Sequence, residues 1–322
     1  ISGAPVSEQL VGQVFDRSDG IPLYVEEFTK MLEESGRLMP SAKKGVSAST
    51  VMTREIPSTL KDLIMARLDQ IVENREVAQI AAAIGREFNL ELLGAASGLN
   101  ERLLEIELEK LVRGGILYKK GSPSTYIFKH ALMVDALYNS LITTKRLSIH
   151  SQIALALKNK FANMAANRPE ILAHHFTEAG LLEESLEYWL AAGKRSQMEY
   201  ANVEAIEYFS KGLKLIENLP ESSVRDDIEL RFLSAIGSSY RAVRGYATPE
   251  IGLTFSRARA LCQKTGNASQ LFETLFGNWT WHLVRADLDY CMELVDEMMA
   301  LAEYGRDRGM LMEASVGPTA VH

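Results

Sequence analysis

His130 is the residue best placed to do chemistry in this chain. It ends the β-branched and aromatic run Thr125-Tyr126-Ile127-Phe128-Lys129, and an apolar helical period begins directly after it. At such a junction, backbone N–H groups and an imidazole can face one anion together. A structural histidine at a strand end is the alternative. His174 and His175 are adjacent, so on a helix they point about 100° apart rather than at one metal; one buried and one exposed histidine is the expectation. Trp279 and Trp281 read as inter-helix core rather than a ligand cage. Gly20-Ile21-Pro22 combines a permissive residue with a fixed φ and reads as a turn into an amphipathic helix.

Beyond these positions the chemistry is sparse. The sequence contains no Gly-x-x-x-x-Gly-Lys-Ser/Thr phosphate loop, no Gly-x-Ser-x-Gly elbow, no His-Glu-x-x-His, and no Cys/His pattern with zinc spacing. Carboxylates such as Glu183-Glu184 and Asp226-Asp227 fall on polar faces. No catalytic residue and no metal site is therefore expected in the chain itself. The net charge of −7 disfavours nucleic acid and anionic membranes as partners. No run approaches ~20 apolar residues, so no membrane helix is expected. The two cysteines, Cys262 and Cys291, lie in apolar helical patterns and read as buried thiols in a reducing compartment, which makes the cytoplasm the expected location.

The elements that must position these residues are almost all helical. Ser7 can cap a helix carrying Leu10, Val11, Val14 and Phe15, and Pro22 starts a second with Val25, Phe28, Thr29 and Leu32 on one face. Residues 37–54 lack an apolar period and read as a loop. Leu60, Leu63, Ile64, Leu68 and Ile71 recur at helical spacing, followed by shorter helices near 74–84, 89–96 and 100–113. The period then changes: 114–120 and 125–128, separated by Gly121-Ser122-Pro123, form a hairpin signature. Three helices and a hairpin give the order of a winged helix. Its third helix, residues 101–113, carries four Glu against three basic side chains, which opposes approach to DNA phosphates. Lys119 and Lys120 on the wing do not reverse that balance, and an interdomain packing role is favoured.

The last half repeats itself. Gly237 and Gly277 are 40 residues apart (277 − 237), as are Ile251 and Cys291, Phe255 and Val295, and Ala258 and Met298. The last three have the 0, +4, +7 spacing of tetratricopeptide second helices, and Ala205-Phe209-Gly212 and Ser185-Trp189-Ala192 share it. Small and aromatic residues must alternate there so that neighbouring helices can interdigitate. The units are longer than the ~34-residue consensus, so a degenerate array is expected.

Several strings together resemble bacterial STAND/AAA-type predicted ATPases followed by tetratricopeptide repeats. They are Gly20-Ile21-Pro22-Leu23-Tyr24-Val25-Glu26-Glu27, Ile56-Pro57-Ser58-Thr59-Leu60 with Ala66-Arg67-Leu68-Asp69, Ala83-Ile84-Gly85-Arg86-Glu87-Phe88, and Phe128-Lys129-His130-Ala131-Leu132 with Ala136-Leu137-Tyr138. Leu172-Ala173-His174-His175-Phe176 and Arg244-Gly245-Tyr246 add to the match, which covers nearly the whole chain. In many members this architecture sits behind a class III adenylate/guanylate cyclase domain. The resemblance implies that Pro22 lies next to a bound adenine and that His130 senses phosphate. It implies ATP or ADP with Mg in a parent polypeptide, since this chain lacks the phosphate loop and the acidic magnesium-binding strand. Both ends of the chain read as cut, as in a piece of a longer protein.

The resulting expectation is a mainly α protein: a helical lid subdomain over 1–72, a winged helix with a small hairpin over 73–145, and a tetratricopeptide-like solenoid over 146–322. Function is expected to be regulation of a nucleotide-switched signalling ATPase. The partners are the nucleotide-binding core and a protein or small-molecule effector on the concave face of the repeats. The rivals are a DNA-binding regulator and a nucleotide-independent scaffold.

Overall fold

A computed structural model describes residues 21–34, 59–71, 75–121, 124–266 and 268–305, with single positions at 15, 18, 310, 312 and 314. Apart from those single positions, the expected helix capped by Ser7 and the loop at 37–54 lie outside the described residues. The chain divides into two compact units, Ile1–Lys160 and Phe161–His322.

In the first unit, α1 (Pro22–Glu34) packs against α2 (Leu60–Ile71), burying Leu23, Tyr24 and Phe28 on one side and Leu63, Ile64 and Leu68 on the other. Apolar residues alone do not make this contact. Arg67 and Glu27, both essentially inaccessible, form an ion pair across it, and Arg67 also donates to the carbonyl of Gly114. Next come α3 (Glu76–Ile84), β1 (Glu87–Asn89), α4 (Leu90–Ser97), α5 (Glu101–Arg113), β2 (Leu117–Lys120) and β3 (Thr125–Phe128). The expected hairpin is present, with a third strand not foreseen: β1 pairs antiparallel with β3, giving the order β1-β3-β2. Three residues are too few to show an alternating period, so β1 was invisible to pattern. Asn89 and Asn100 cap α4 and α5, accepting from Leu92 N at 2.7 Å and Arg102 N at 2.9 Å.

Two helices complete this unit, α6 (Ala131–Asn139) and α7 (Thr143–Lys160). α6 packs on α2 and α3, and α7 packs on α3 and α4. The boundary expected at 145/146 therefore falls inside α7, whose buried face (Ile149, Ile153, Ala154, Leu157) belongs to the first core. The Tyr138 hydroxyl and His150 Nε2, 2.9 Å apart, tie α6 to α7.

The second unit is a run of helices: α8 (Ala162–Asn167), α9 (Pro169–Glu178), α10 (Leu182–Met198), α11 (Asn202–Ile216), α12 (Ser223–Arg244), α13 (Pro249–Thr265), α14 (Ala268–Val284) and α15 (Leu288–Gly305). From α9 onward each packs chiefly on its sequence neighbours, the contact pattern of a repeat array. Every residue of the expected 0, +4, +7 sets is buried. The spacing occurs on consecutive helices α10 and α11, so it marks a packing face rather than the second member of each pair.

The small residues have defined work. A Cβ on Gly193 would lie 2.2 Å from the Phe209 ring, and one on Gly212 would lie 2.1 Å from Phe232. Phe255 is flanked by Gly237 and Gly277, and the Trp281 ring lies over Gly252. Three turns between helices share one closure. Leu181, Ala201 and Asp287 donate from N to Phe176, Ser196 and His282 carbonyls at 2.8–3.0 Å. The left-handed residue of each is Gly180, Tyr200 or Ala286. Cys262 and Cys291 are free and buried.

Candidate functional site

The sequence singled out Pro22 and His130, which are far apart along the chain. The fold brings their elements together. Pro22 is exposed at the start of α1, one helical turn before Glu26. His130 caps α6 directly after β3, and its Nε2 lies 3.6 Å from Glu26 Oε2. Glu26 thus links the two expected residues, although the sequence argument assigned it nothing.

Three more basic residues surround this point. Lys30, one turn beyond Glu26, approaches its carboxylate to 2.6 Å and that of Glu27 to 3.2 Å. Lys129 donates to Glu26 Oε1 at 2.6 Å across a separation of 103 residues. Arg86, ahead of β1, is near enough to His130 to oppose its protonation. The hydrogen bond from Lys129, and then that from Lys30, hold the Glu26 carboxyl down to about 2 from 4.5. Burial pushes the His130 imidazole below its usual range, against the pull of Glu26. A neutral ring at pH 7 follows. Its Nε2 is buried and has no hydrogen-bond partner among the described residues. A buried polar nitrogen without a partner is costly in a finished structure and useful in a site that awaits a ligand.

The chemistry of this group is oxyanion binding. Among the described residues, four permanent cations (Lys30, Arg67, Arg86, Lys129) stand against two carboxylates, Glu26 and Glu27, and Arg67 is committed to Glu27. Lysine and imidazole donors of this kind suit a phosphate group. Lys30, Lys129 and Arg86 were missed because helix period and strand pattern treat them as ordinary surface charges. The string Phe128-Lys129-His130 was nevertheless on the page as a signal.

The third helix of the small domain, α5, pairs two of its three basic side chains with its own glutamates. Lys110 and Arg113 of α5 are paired to Glu107 and Glu109 at 2.7 and 3.0 Å. Its outward positions include Leu103, Glu105 and Ile106. Desolvating those glutamates against phosphates is unfavourable.

In the second unit, His175 is buried and His174 exposed. Among the described residues no group of three His, Cys, Asp or Glu side chains could hold a metal ion, and no helix is long and apolar enough to cross a membrane. Trp279 lies in the core, and Trp281 donates from Nε1 to the Thr248 carbonyl at 2.8 Å. The Arg244–Glu250 segment is a Gly245 turn into a Pro249-initiated helix, closed by an Arg244–Glu250 ion pair. A cleft of about 440 Å³ opens beside Phe255, lined by Ser234 and Arg241 of α12 and by Glu273, Thr274, Phe276 and Gly277 of α14.

No protein-family profile matches the chain. A curated protein of Rhizobium meliloti (strain 1021), described as uncharacterised, is 25% identical over 279 residues, 84% of this chain. The chain spans 27% of the length of that relative. Among solved structures it is similar to a STAND (signal transduction ATPase with numerous domains) protein with a tetratricopeptide repeat sensor from Pyrococcus horikoshii. That match has 11% identity and a TM-score of 0.37, and covers 98% of this chain and 54% of the other.

Proposed function

We propose that this chain is the lid, winged-helix and sensor portion of a nucleotide-switched signalling ATPase. The observation that carries the reading is the meeting of His130, Lys30 and Lys129 at Glu26, on the helix that Pro22 begins, with the two lysines supplying donors for a phosphate group. The element order α3-β1-α4-α5-β2-β3 is that of a winged helix, and His130 leaves its last strand. The nucleotide, ATP or ADP with Mg, would be held by a core outside these residues. Pro22 would border the adenine, and His130, in the tautomer that carries its proton on Nε2, would donate to a phosphate oxygen. This chain supplies docking and sensing and carries out no bond-breaking step.

The repeats would bind an effector, and the cleft between α12 and α14 is the place for it. Its charged groups are Arg241 and Glu273, and Phe255 and Phe276 supply an apolar wall. An effector that prefers one docked state of the lid shifts the switch by that difference in affinity. By resemblance, a class III cyclase domain is the proposed output of the parent.

The test is ADP affinity of the full-length protein, measured by calorimetry for wild type and His130→Ala. Loss of one charge-assisted contact weakens binding by about tenfold, or roughly 1.4 kcal/mol. Equal affinities would remove His130 from the mechanism. Effector affinity measured with and without ATP separates a switch from a nucleotide-independent scaffold.

A further inference from the structure

We infer that the Glu26 carboxylate is an internal occupant of the oxyanion site, sitting where a phosphate group binds between Lys30, Lys129 and His130 and leaving when phosphate arrives. The inference deepens the nucleotide reading and rests on it for the source of the phosphate, while the site itself can be tested without any nucleotide.

Three observations carry it. First, the two lysines reach Glu26 from different elements, Lys30 from α1 and Lys129 from the end of β3, both at 2.6 Å. Both donate to the same oxygen, Oε1, so two ammonium groups from separate elements converge on one point of negative charge, as they can on an oxygen of a tetrahedral oxyanion. Second, the imidazole is left incomplete. Its Nε2 is 3.6 Å from Glu26 Oε2, beyond hydrogen-bond length, and has no other partner among the described residues although it is buried. A carboxylate whose sole role was structural would close that gap; a phosphate, with more oxygens, can do so. Third, the charge is undercompensated. Glu27 is paired with the buried Arg67, and among the described residues Lys30 and Lys129 both reach Glu26, with Lys30 also 3.2 Å from Glu27 and Arg86 adding positive charge near His130. A dianion balances that field better than a monoanion does.

Glu26 can also leave. It sits on the accessible face of α1, with 38% of its side chain exposed, so a rotamer change returns it to water without opening the core. The buried pair Glu27–Arg67, one residue along, keeps α1 in place while it does so. In this arrangement the resting chain holds its own phosphate substitute. The carboxylate keeps two lysines and a histidine ordered in the absence of ligand and sets a threshold that ligand must exceed.

Inorganic pyrophosphate titrated calorimetrically into the 322-residue chain at low salt tests this. Glu26→Gln is expected to bind at least about tenfold more tightly than wild type, and Glu26→Gln/Lys129→Ala is expected to lose that gain. Equal or weaker binding by Glu26→Gln overturns the inference, as does a double variant that keeps the gain. Circular dichroism verifies that both variants fold. If Glu26→Gln does not fold, the His130 side-chain NMR resonances of wild type are followed as pyrophosphate is added. A saturable shift supports the site, and its absence overturns it. Should pyrophosphate behave as expected while full-length ADP affinity ignores His130→Ala, the nucleotide reading falls and the anion site stands. The reverse pattern removes Glu26 and leaves the nucleotide reading.

Discussion

The two compact units solve the same packing problem by different means. In Ile1–Lys160, α1 and α2 are joined by a buried Arg67–Glu27 pair that also reaches the Gly114 carbonyl, beside a second cluster built on Glu26. In Phe161–His322, neighbouring helices meet through glycines that admit aromatic rings, Gly193 to Phe209 and Gly212 to Phe232. Ring-to-glycine packing is rigid and indifferent to ligand charge, and it suits a frame. A network of charges has alternative partners and can be rearranged by an incoming anion, which suits a switch. The difference teaches where a response to an anion can begin in this chain: in the first unit, at residues whose partners are replaceable.

The sharpest way to break this comparison is at its most committed charge. Arg67→Ala removes the buried partner of Glu27, leaving it the longer contact with Lys30 at 3.2 Å, and is expected to cost about 3–5 kcal/mol, read from the denaturant midpoint. A double change of Arg67 to Met and Glu27 to Leu should recover most of it. Near-neutral Arg67→Ala would show that the pair does not hold α1 to α2. In the second unit, Gly212→Ala drives a methyl into the Phe232 ring and is expected to cost about 1–3 kcal/mol, despite the higher helix propensity of alanine. Stabilisation by this change would deny the frame its rigidity.

A smaller effect of opposite sign sharpens the account of the turns. Tyr200 holds φ at 59° and is 90% exposed, so it carries backbone strain without burying its ring. Tyr200→Gly is expected to raise stability by about 1 kcal/mol in thermal unfolding, since Gly180 already serves the equivalent turn. The smallest effect concerns pH. The Glu26 carboxyl is depressed in the folded state to about 2 from 4.5, so its contribution is fully present above pH 4.5 and lost as pH falls through 2. The difference in melting temperature between wild type and Glu26→Gln should therefore shrink across that window. A pH-independent difference would show that the lysines do not stabilise the ionised form.

Much of the second unit was legible from sequence. Ala205-Phe209-Gly212 and Ile251-Phe255-Ala258 are buried as their spacing required, because a face of a regular helix is fixed by residue spacing alone. The hairpin over 117–128 was legible from composition, through aromatic and β-branched runs on either side of Gly121-Ser122-Pro123. The site was half legible. His130 stood out at its strand end and Pro22 at its turn, but Glu26, Lys30, Arg86 and Lys129 look like any solvated charges.

The sequence by itself determined the helices, their buried faces, the hairpin and the absence of any phosphate loop in these 322 residues. All of these are local properties, set by periodicity and composition. The tertiary structure alone decided that β1 joins the sheet, that α7 belongs to the first core, and that Arg67 meets Glu27 from 40 residues away. It also decided that Lys129 and His130 face Glu26 across more than a hundred residues. Such meetings depend on how separate segments register against each other, and a charged side chain carries no period by which to foretell its partner.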